Sequence, residues 1–305
     1  MFICLFLITA SISPFLFADE EENFRSQIFV GNVDGSDMKR LVDIATYQSH
    51  GSPSWSQDGK RITFDAWQSQ KGQRFSDGHV FVVNSDGTNP RDIGPGFMPS
   101  LSPKGHRVAF TRMGDENTGG VWIAEVEDPT ACAQIDPSGW GTDWSPNGLF
   151  IAYTRGGELI LFDTIEGTLR PVFNQQSKPF SQIQWNFNWS SDSRQIAFKA
   201  ITEDQRSVLA TVDVFDEKHE VKVIYEGNFQ PGVSWHPNRQ QIFVSMPDPD
   251  HENLPRIFRV NVQPPGPPVL LSHQPPDRKL HDPAISPDGK RLAVLAFKRV
   301  SPTVK

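Results

Sequence analysis

Two histidines and an aspartate, His50, His281 and Asp282, share one sequence context with three aromatic residues, Phe97, Trp140 and Trp185, and two amides, Asn186 and Gln230. Each lies four to six residues ahead of the Ser or His anchor of a short phrase that returns along the chain, and Gly51, Met98 and Pro231 occupy the same stretch in some copies. Imidazole and carboxylate groups brought to one wet pocket can exchange protons or hold a metal ion. Aromatic faces with a few amides suit a sugar ring or a partner's side chain. A third reading has Trp140 and Trp185 plugging a channel with no ligand at all. Isolated His and Asp side chains do not make a metal site, so no metal and no cofactor is expected.

Whether these residues meet depends on the phrase that follows them, a large apolar residue, a Ser or His, a turn, and a β-rich run. The copies begin at Trp55, Leu101, Trp144, Trp189, Trp235 and Ile285, and the anchors Ser56, Ser102, Ser145, Ser190, His236 and Ser286 lie 46, 43, 45, 46 and 50 residues apart. A period in that range marks a propeller or a solenoid. Runs such as Arg61-Ile62-Thr63-Phe64 and Gln195-Ile196-Ala197-Phe198 follow the anchors and read as strands. Between anchors stand hairpins, clearest around Asp34-Gly35 and Asp86-Gly87, where glycine accepts the positive φ of the turn.

Six hairpins and six anchor units are present but out of phase, because the chain opens with a hairpin and ends with an anchor unit. Pairing residues 27–42 with residues 284–297 uses both leftovers and closes a ring without unpaired edges. The expectation is an all-β, six-bladed β-propeller of four-stranded antiparallel blades, closed by pairing N-terminal and C-terminal strands in one blade. The residue before each anchor then packs between blades. In a propeller the segments entering the inner strands share one face with the loops after the second strands. His50, Phe97, Trp140, Trp185, Asn186, Gln230, His281 and Asp282 are therefore expected at one mouth of the central channel.

Composition and the chain ends narrow the function classes. Met1–Ala18 is almost wholly apolar and gives way to Asp19-Glu20-Glu21-Glu22, which reads as a secretory signal peptide, with an uncleaved anchor as the other possibility. Residues 19–305 then form one domain, periplasmic or secreted, monomeric and without a membrane span. Beyond the leader Cys132 is the sole cysteine, so no internal disulfide forms. A net charge of −7 with no long basic stretch opposes nucleic-acid binding. No phosphate loop, His-Glu-x-x-His or Gly-x-Ser-x-Gly motif is present. Asp248, Asp250 and Glu252 read as a solvated acidic loop, with calcium binding as the alternative. The proline-rich stretch from Met246 to Asp277 reads as irregular, and the sequon at Asn188 falls inside an inner strand.

The phrase Ser-Pro-Asp-Gly-Lys-Arg-Leu-Ala, complete at Ser286–Ala293, with its Asp-Gly hairpins, resembles the WD-like repeats of TolB-type propellers over nearly the whole mature chain. The resemblance implies a six-bladed ring with shared-blade closure. TolB itself is a periplasmic component of the Tol-Pal envelope system and contacts a peptidoglycan-associated lipoprotein. It carries an N-terminal α/β domain, which this chain is expected to lack, since about ten residues separate the leader from the first hairpin. Related propellers precede the catalytic domain of prolyl-oligopeptidase-type peptidases. Propeller-fold pectate-fragment lyases hold a metal with several histidines near the channel, a ligand set that has no position-by-position match here. The expected function is that of an exported, non-catalytic scaffold for a protein or cell-envelope glycan. The alternative is a carbohydrate-active lyase or hydrolase using His50, His281 and Asp282.

Overall fold

A computed structural model describes residues 24–68, 77–173, 179–216, 218–251 and 253–299. The leader and Glu252 lie outside the described residues. Every repeat forms an antiparallel sheet whose first strand lies nearest the axis. The first blade runs outward as Ser49–Trp55, Arg61–Trp67, His79–Asn84 and Arg91–Pro95. The second, third and fifth blades repeat this order from the inner strands Phe97–Leu101, Trp140–Trp144 and Val233–Trp235. In the fourth blade the inner strand is broken into Gln182–Ile183 and Asn188–Trp189, which both pair with Gln195–Ile201, so that sheet has five strands rather than four.

The sixth blade joins the two ends of the chain. Its inner strands are Lys279–Ile285 and Arg291–Arg299, and its outer strands are Phe24–Asn32 and Lys39–Arg40. Phe24–Asn32 pairs with Arg291–Arg299 along nine residues, from Phe24 opposite Arg299 to Asn32 opposite Arg291. Ring closure removes the exposed sheet edges that an open array would leave at its ends.

The core lies between neighbouring sheets. Trp55, Leu101, Trp144, Trp189, Trp235 and Ile285, each just ahead of an anchor, are all buried, at 3–8% exposure. Trp55 donates its indole N–H across the seam to the Ala284 carbonyl at 3.0 Å, and Trp189 does the same to the Asp143 carbonyl at 3.1 Å. The anchor serines have a local task. The Ser286 hydroxyl donates to Asp288 at 2.6 Å and accepts the Arg291 N–H at 2.9 Å, which ties the turn to the strand it starts. Ser56 and Ser190 repeat this with Asp58 and Asp192, and Ser145 with Asn147. That local role explains the anchor without assigning it any chemistry.

Two sequence readings are corrected. The stretch from Met246 to Asp277 is not irregular, because Gln241–Asp248, Leu254–Asn261 and Val269–Leu270 are strands, and Met246, Ile257, Val260 and Leu271 are core residues. Hydrophobic residues between the prolines supply a buried face, and Pro247 and Pro255 sit opposite one another near the end of a hairpin. Asp248 is not solvated either, being 1% exposed and bonded to the Asp250 N–H and to His251 Nδ1. Asn188 lies on its inner strand as expected, with its amide donating to Asp143 and its carbonyl oxygen accepting the Trp235 N–H. Cys132 is a free, partly exposed thiol.

Candidate functional site in the central channel

Extended strands place alternate side chains on alternate faces, so positions six and four before an anchor would share one face. A recurring irregularity breaks that alternation. Ser52, Met98, Gly141, Asn186 and Asp282, each four residues before its anchor, all have positive φ, between 44° and 67°. The pairing register shifts there in four blades, between Gly51 and Ser54, Phe97 and Ser100, Trp140 and Thr142, and His281 and Ala284. A bulge of this kind bends the strand and re-aims side chains. Here it turns the residue four before the anchor into the channel and takes its predecessor off the axis.

The channel is a cavity of about 130 Å³ that contacts all six inner strands. Of the eight residues expected at its mouth, Asn186 and Asp282 line it, with Asn186 Nδ2 3.5 Å from Asp282 Oδ1. The other six are not part of the lining. His50 is wholly buried with its ring against Phe64 at 5.1 Å, and Phe97 is buried at 5% exposure. His281 sets its ring edge-on to Phe297 at 5.2 Å. Trp140, Trp185 and Gln230 are half-buried. Gly141, whose Cα faces the Trp185 Cβ so closely that an added Cβ would sit 2.8 Å from it, lets the third and fourth blades meet there.

Deeper in the channel a polar ring ties the blades together. Position two before the anchor holds Ser54, Ser100, Asp143, Asn188, Ser234 and Ala284. Three of these accept the backbone N–H that precedes the next blade's anchor: Asp143 from Trp189 at 2.9 Å, Asn188 from Trp235 at 2.9 Å and Ser234 from Ile285 at 3.0 Å. The inner strands of neighbouring blades belong to separate sheets, with no β ladder between them. Short polar side chains bridge the gap and satisfy donors that would otherwise be buried unpaired.

Three carboxylates, Asp65, Asp143 and Asp282, sit in or beside the channel, and of these only Asp282 is among the residues the sequence points to. Burial pushes Asp282 up to about 6, the charge of Asp65 adds to the rise, and the Asn186 amide opposes it. Burial likewise raises Asp65 to about 6 against the Met98 N–H and the Ser52 hydroxyl, and Asp143 to about 7 against the Trp189 N–H and the Asn188 amide. His50 and His281 move the other way, each lowered by burial to about 4, and are neutral imidazoles at physiological pH. Glycines make the room: a Cβ on Gly51 would lie 2.6 Å from Asp65 Oδ1, and one on Gly232 would collide with Asp282 Oδ1. Glycine ahead of two anchors was a legible trace of these carboxylates, but nothing in sequence pairs Gly51 with Asp65.

A carboxyl whose folded-state pKa is raised stabilises the fold fully below its ordinary value, and that contribution is lost as pH climbs through the raised value. For Asp282 the window runs from 3.8 to about 6. The neutral substitution Asp282→Asn is expected to raise the thermal midpoint at pH 8 and to leave it nearly unchanged at pH 4. Scanning calorimetry at the two pH values checks this, and an equal gain at both would contradict a buried charge as the cause.

Six sheets around a polar channel, closed by the two chain ends in one blade, define a six-bladed β-propeller of the TolB-like fold. No protein-family profile matches the sequence, and no curated protein does. Among solved structures, a putative TolB from Agrobacterium tumefaciens superposes with a TM-score of 0.68 at 16% identity, covering 91% of this chain and 99% of that one. TolB from Acinetobacter baumannii gives 0.59 at 15% identity over 92% of this chain, which spans 65% of that protein. An oligogalacturonate lyase in complex with manganese gives 0.51 at 14% identity, with 75% of this chain and 69% of that one covered. At these identities the likeness is one of fold. Among the described residues, no three His, Cys, Asp or Glu side chains cluster so as to hold a metal ion, and no helix is long and apolar enough to cross a membrane.

Proposed function

We propose that this protein is an exported, non-catalytic propeller that binds a protein or cell-envelope glycan partner at the channel mouth. The observation that carries the reading is the pair of half-buried indoles Trp140 and Trp185 on adjacent blades, which approach one another where Gly141 lies close to the Trp185 Cβ. Partly exposed aromatic faces beside an amide bind well without doing chemistry. The fold likeness to TolB and the apolar leader both favour an envelope location. The bulge supports a non-catalytic role, since it separates His281, packed on Phe297, from the neighbouring Asp282 in the channel.

The test is a pull-down from envelope extract with the wild type and a Trp140→Ala, Trp185→Ala double variant. The double variant is expected to lose the partners that the wild type retains. Identical partner sets would place recognition on another surface. Incubation with oligosaccharide panels addresses the enzymatic alternative: product formation that disappears in His281→Ala would overturn the scaffold reading.

A further inference from the structure

The blades also repeat on the face away from the channel mouth, where the turn that starts each second strand meets the hairpin turn of the same blade. In every blade one backbone N–H of the hairpin turn, that of Val33, Ser85, Val126, Thr164, Val214 or Val262, donates to the carbonyl four residues after the anchor. The residue carrying that carbonyl is polar or charged in five blades, as Lys60, His106, Arg194, Gln240 and Lys290, and the third blade has Leu149 in its place. The position just after the donor holds Asp34, Asp86, Glu127 and Gln263, but Ile165 in the third blade and Phe215 in the fourth. The bonding is the same in all six copies, so the fold does not ask for these three apolar residues.

They are also exposed and close together. Ile165 is 74% exposed, Phe215 45% and Leu149 43%. The Thr164 backbone N–H and hydroxyl both bond to the Leu149 carbonyl, at 3.0 and 3.2 Å, which sets Ile165 beside Leu149. The next residue, Phe150, meets the Phe215 ring edge-on across the seam between the two blades, at a ring separation of 5.8 Å. Large apolar side chains exposed singly are ordinary, but a cluster of them at turns that are polar in the other copies marks a contact surface.

Charge narrows what lies on it. Two guanidiniums cover the aromatic floor, Arg170 at 5.8 Å from the Phe150 ring and Arg194 at 5.7 Å from the Phe215 ring. Arg194 is held by Asp213, whereas Arg170 donates to the Val214 carbonyl at 3.3 Å and forms no ion pair with a described carboxylate. Asp163, in the same turn, is taken up by the N–H groups of Ile165 and Glu166. A half-buried guanidinium at the edge of an apolar patch favours a carboxylate partner. An anionic lipid surface fits less well, because the chain carries a net charge of −7 and Glu166 is exposed beside Ile165.

We propose that Leu149, Ile165 and Phe215 form a second docking surface, on the face opposite the channel mouth, for a partner's peptide segment that sets large apolar side chains on these three residues and an Asp or Glu against Arg170. This surface is independent of the channel-mouth reading and shares no residue with it.

Selection of phage-displayed dodecapeptides on the immobilised full chain, followed by fluorescence polarisation with the selected sequences as soluble peptides, tests it. The selected peptides are expected to combine large apolar residues with an acid, and to bind roughly tenfold more weakly when that acid is replaced by its amide. A loss of roughly tenfold or more is expected with Leu149→Lys, Ile165→Asp and Phe215→Glu, each of which restores the kind of residue that other blades carry, and with Arg170→Gln. Binding should be unchanged in the Trp140→Ala, Trp185→Ala double variant, so the two surfaces stand or fall separately. The comparison of acid with amide uses the wild type alone and does not depend on a variant folding. Selection of no peptide, peptides indifferent to the acid, or peptides unaffected by the three turn substitutions overturn the proposal. Self-association in sedimentation that Ile165→Asp abolishes would give the face to a second copy of the chain, and flotation with phosphatidylglycerol vesicles that the same substitution abolishes would give it to lipid; each result also overturns it.

Discussion

A chain lacking residues 19–45 is expected to lose its single cooperative unfolding transition. The deleted segment supplies both outer strands of the sixth blade, and its removal exposes the whole length of Arg291–Arg299 as an unpaired edge. Ile28, wholly buried, belongs to a core cluster with Trp55, Ile62, Phe64 and Leu295, so the loss reaches the first blade as well as the sixth. Ser26 is a further tie, its hydroxyl donating to the His50 carbonyl at 2.8 Å and accepting the His50 N–H at 3.1 Å. Blades in an open array contact only their neighbours, and stability then becomes a sum of local terms in place of one shared transition. Circular dichroism and calorimetry on the truncated protein should show a broad, early loss of structure. A sharp transition close to that of the full chain would mean that the ring does not derive its cooperativity from closure.

Trp189→Ala is expected to cost about 3–5 kcal/mol, the usual range for removing a buried aromatic side chain. The indole is 3% exposed, stacks on Phe150 at a ring separation of 6.4 Å and sits in the largest of the core clusters. Its ring N–H bonds to the Asp143 carbonyl, so the substitution also removes one hydrogen bond between the third and fourth blades, while the backbone N–H that bonds to the Asp143 side chain stays. Trp140→Ala removes a half-buried ring and should cost far less. Urea denaturation of both variants checks the contrast, which disappears if the tryptophans before the anchors are not the packing element between blades. The measurement also separates the two kinds of tryptophan by role, since the substitution that affects partner binding should be the one that scarcely affects stability.

The blades were legible because their signals are local. An Asp-Gly pair between two extended runs makes a hairpin wherever it stands, and Ser286 with Asp288 closes its turn through atoms two residues apart. The out-of-phase ends pointed to shared-blade closure for the same reason, since the surplus hairpin and the surplus anchor unit can be read one at a time. The site was less legible. His50, His281 and Asp282 have neighbouring places in the repeat, yet His50 is buried against Phe64, His281 lies against Phe297, and Asp282 enters the channel. A single bulge residue separates those fates, because side chains alternate with a period of two and one extra residue reverses the alternation. The proline-rich stretch misled in the opposite direction, since proline at the end of a hairpin does not prevent the intervening Ile257 and Val260 from facing the core.

By itself, the sequence determined the number of blades, the order of strands within each and the residues that pack between them, all of which follow from short-range turn chemistry and hydrophobic spacing repeated six times. Only the tertiary structure decided what the channel contains. Asp65 and Asp282 are more than two hundred residues apart and feel one another because the ring closes between their blades. Their raised pKa values arise from burial, which is a property of the assembled ring and of the glycines that make space within it. Electrostatics of that kind depends on distance and desolvation, and neither is written in a repeat.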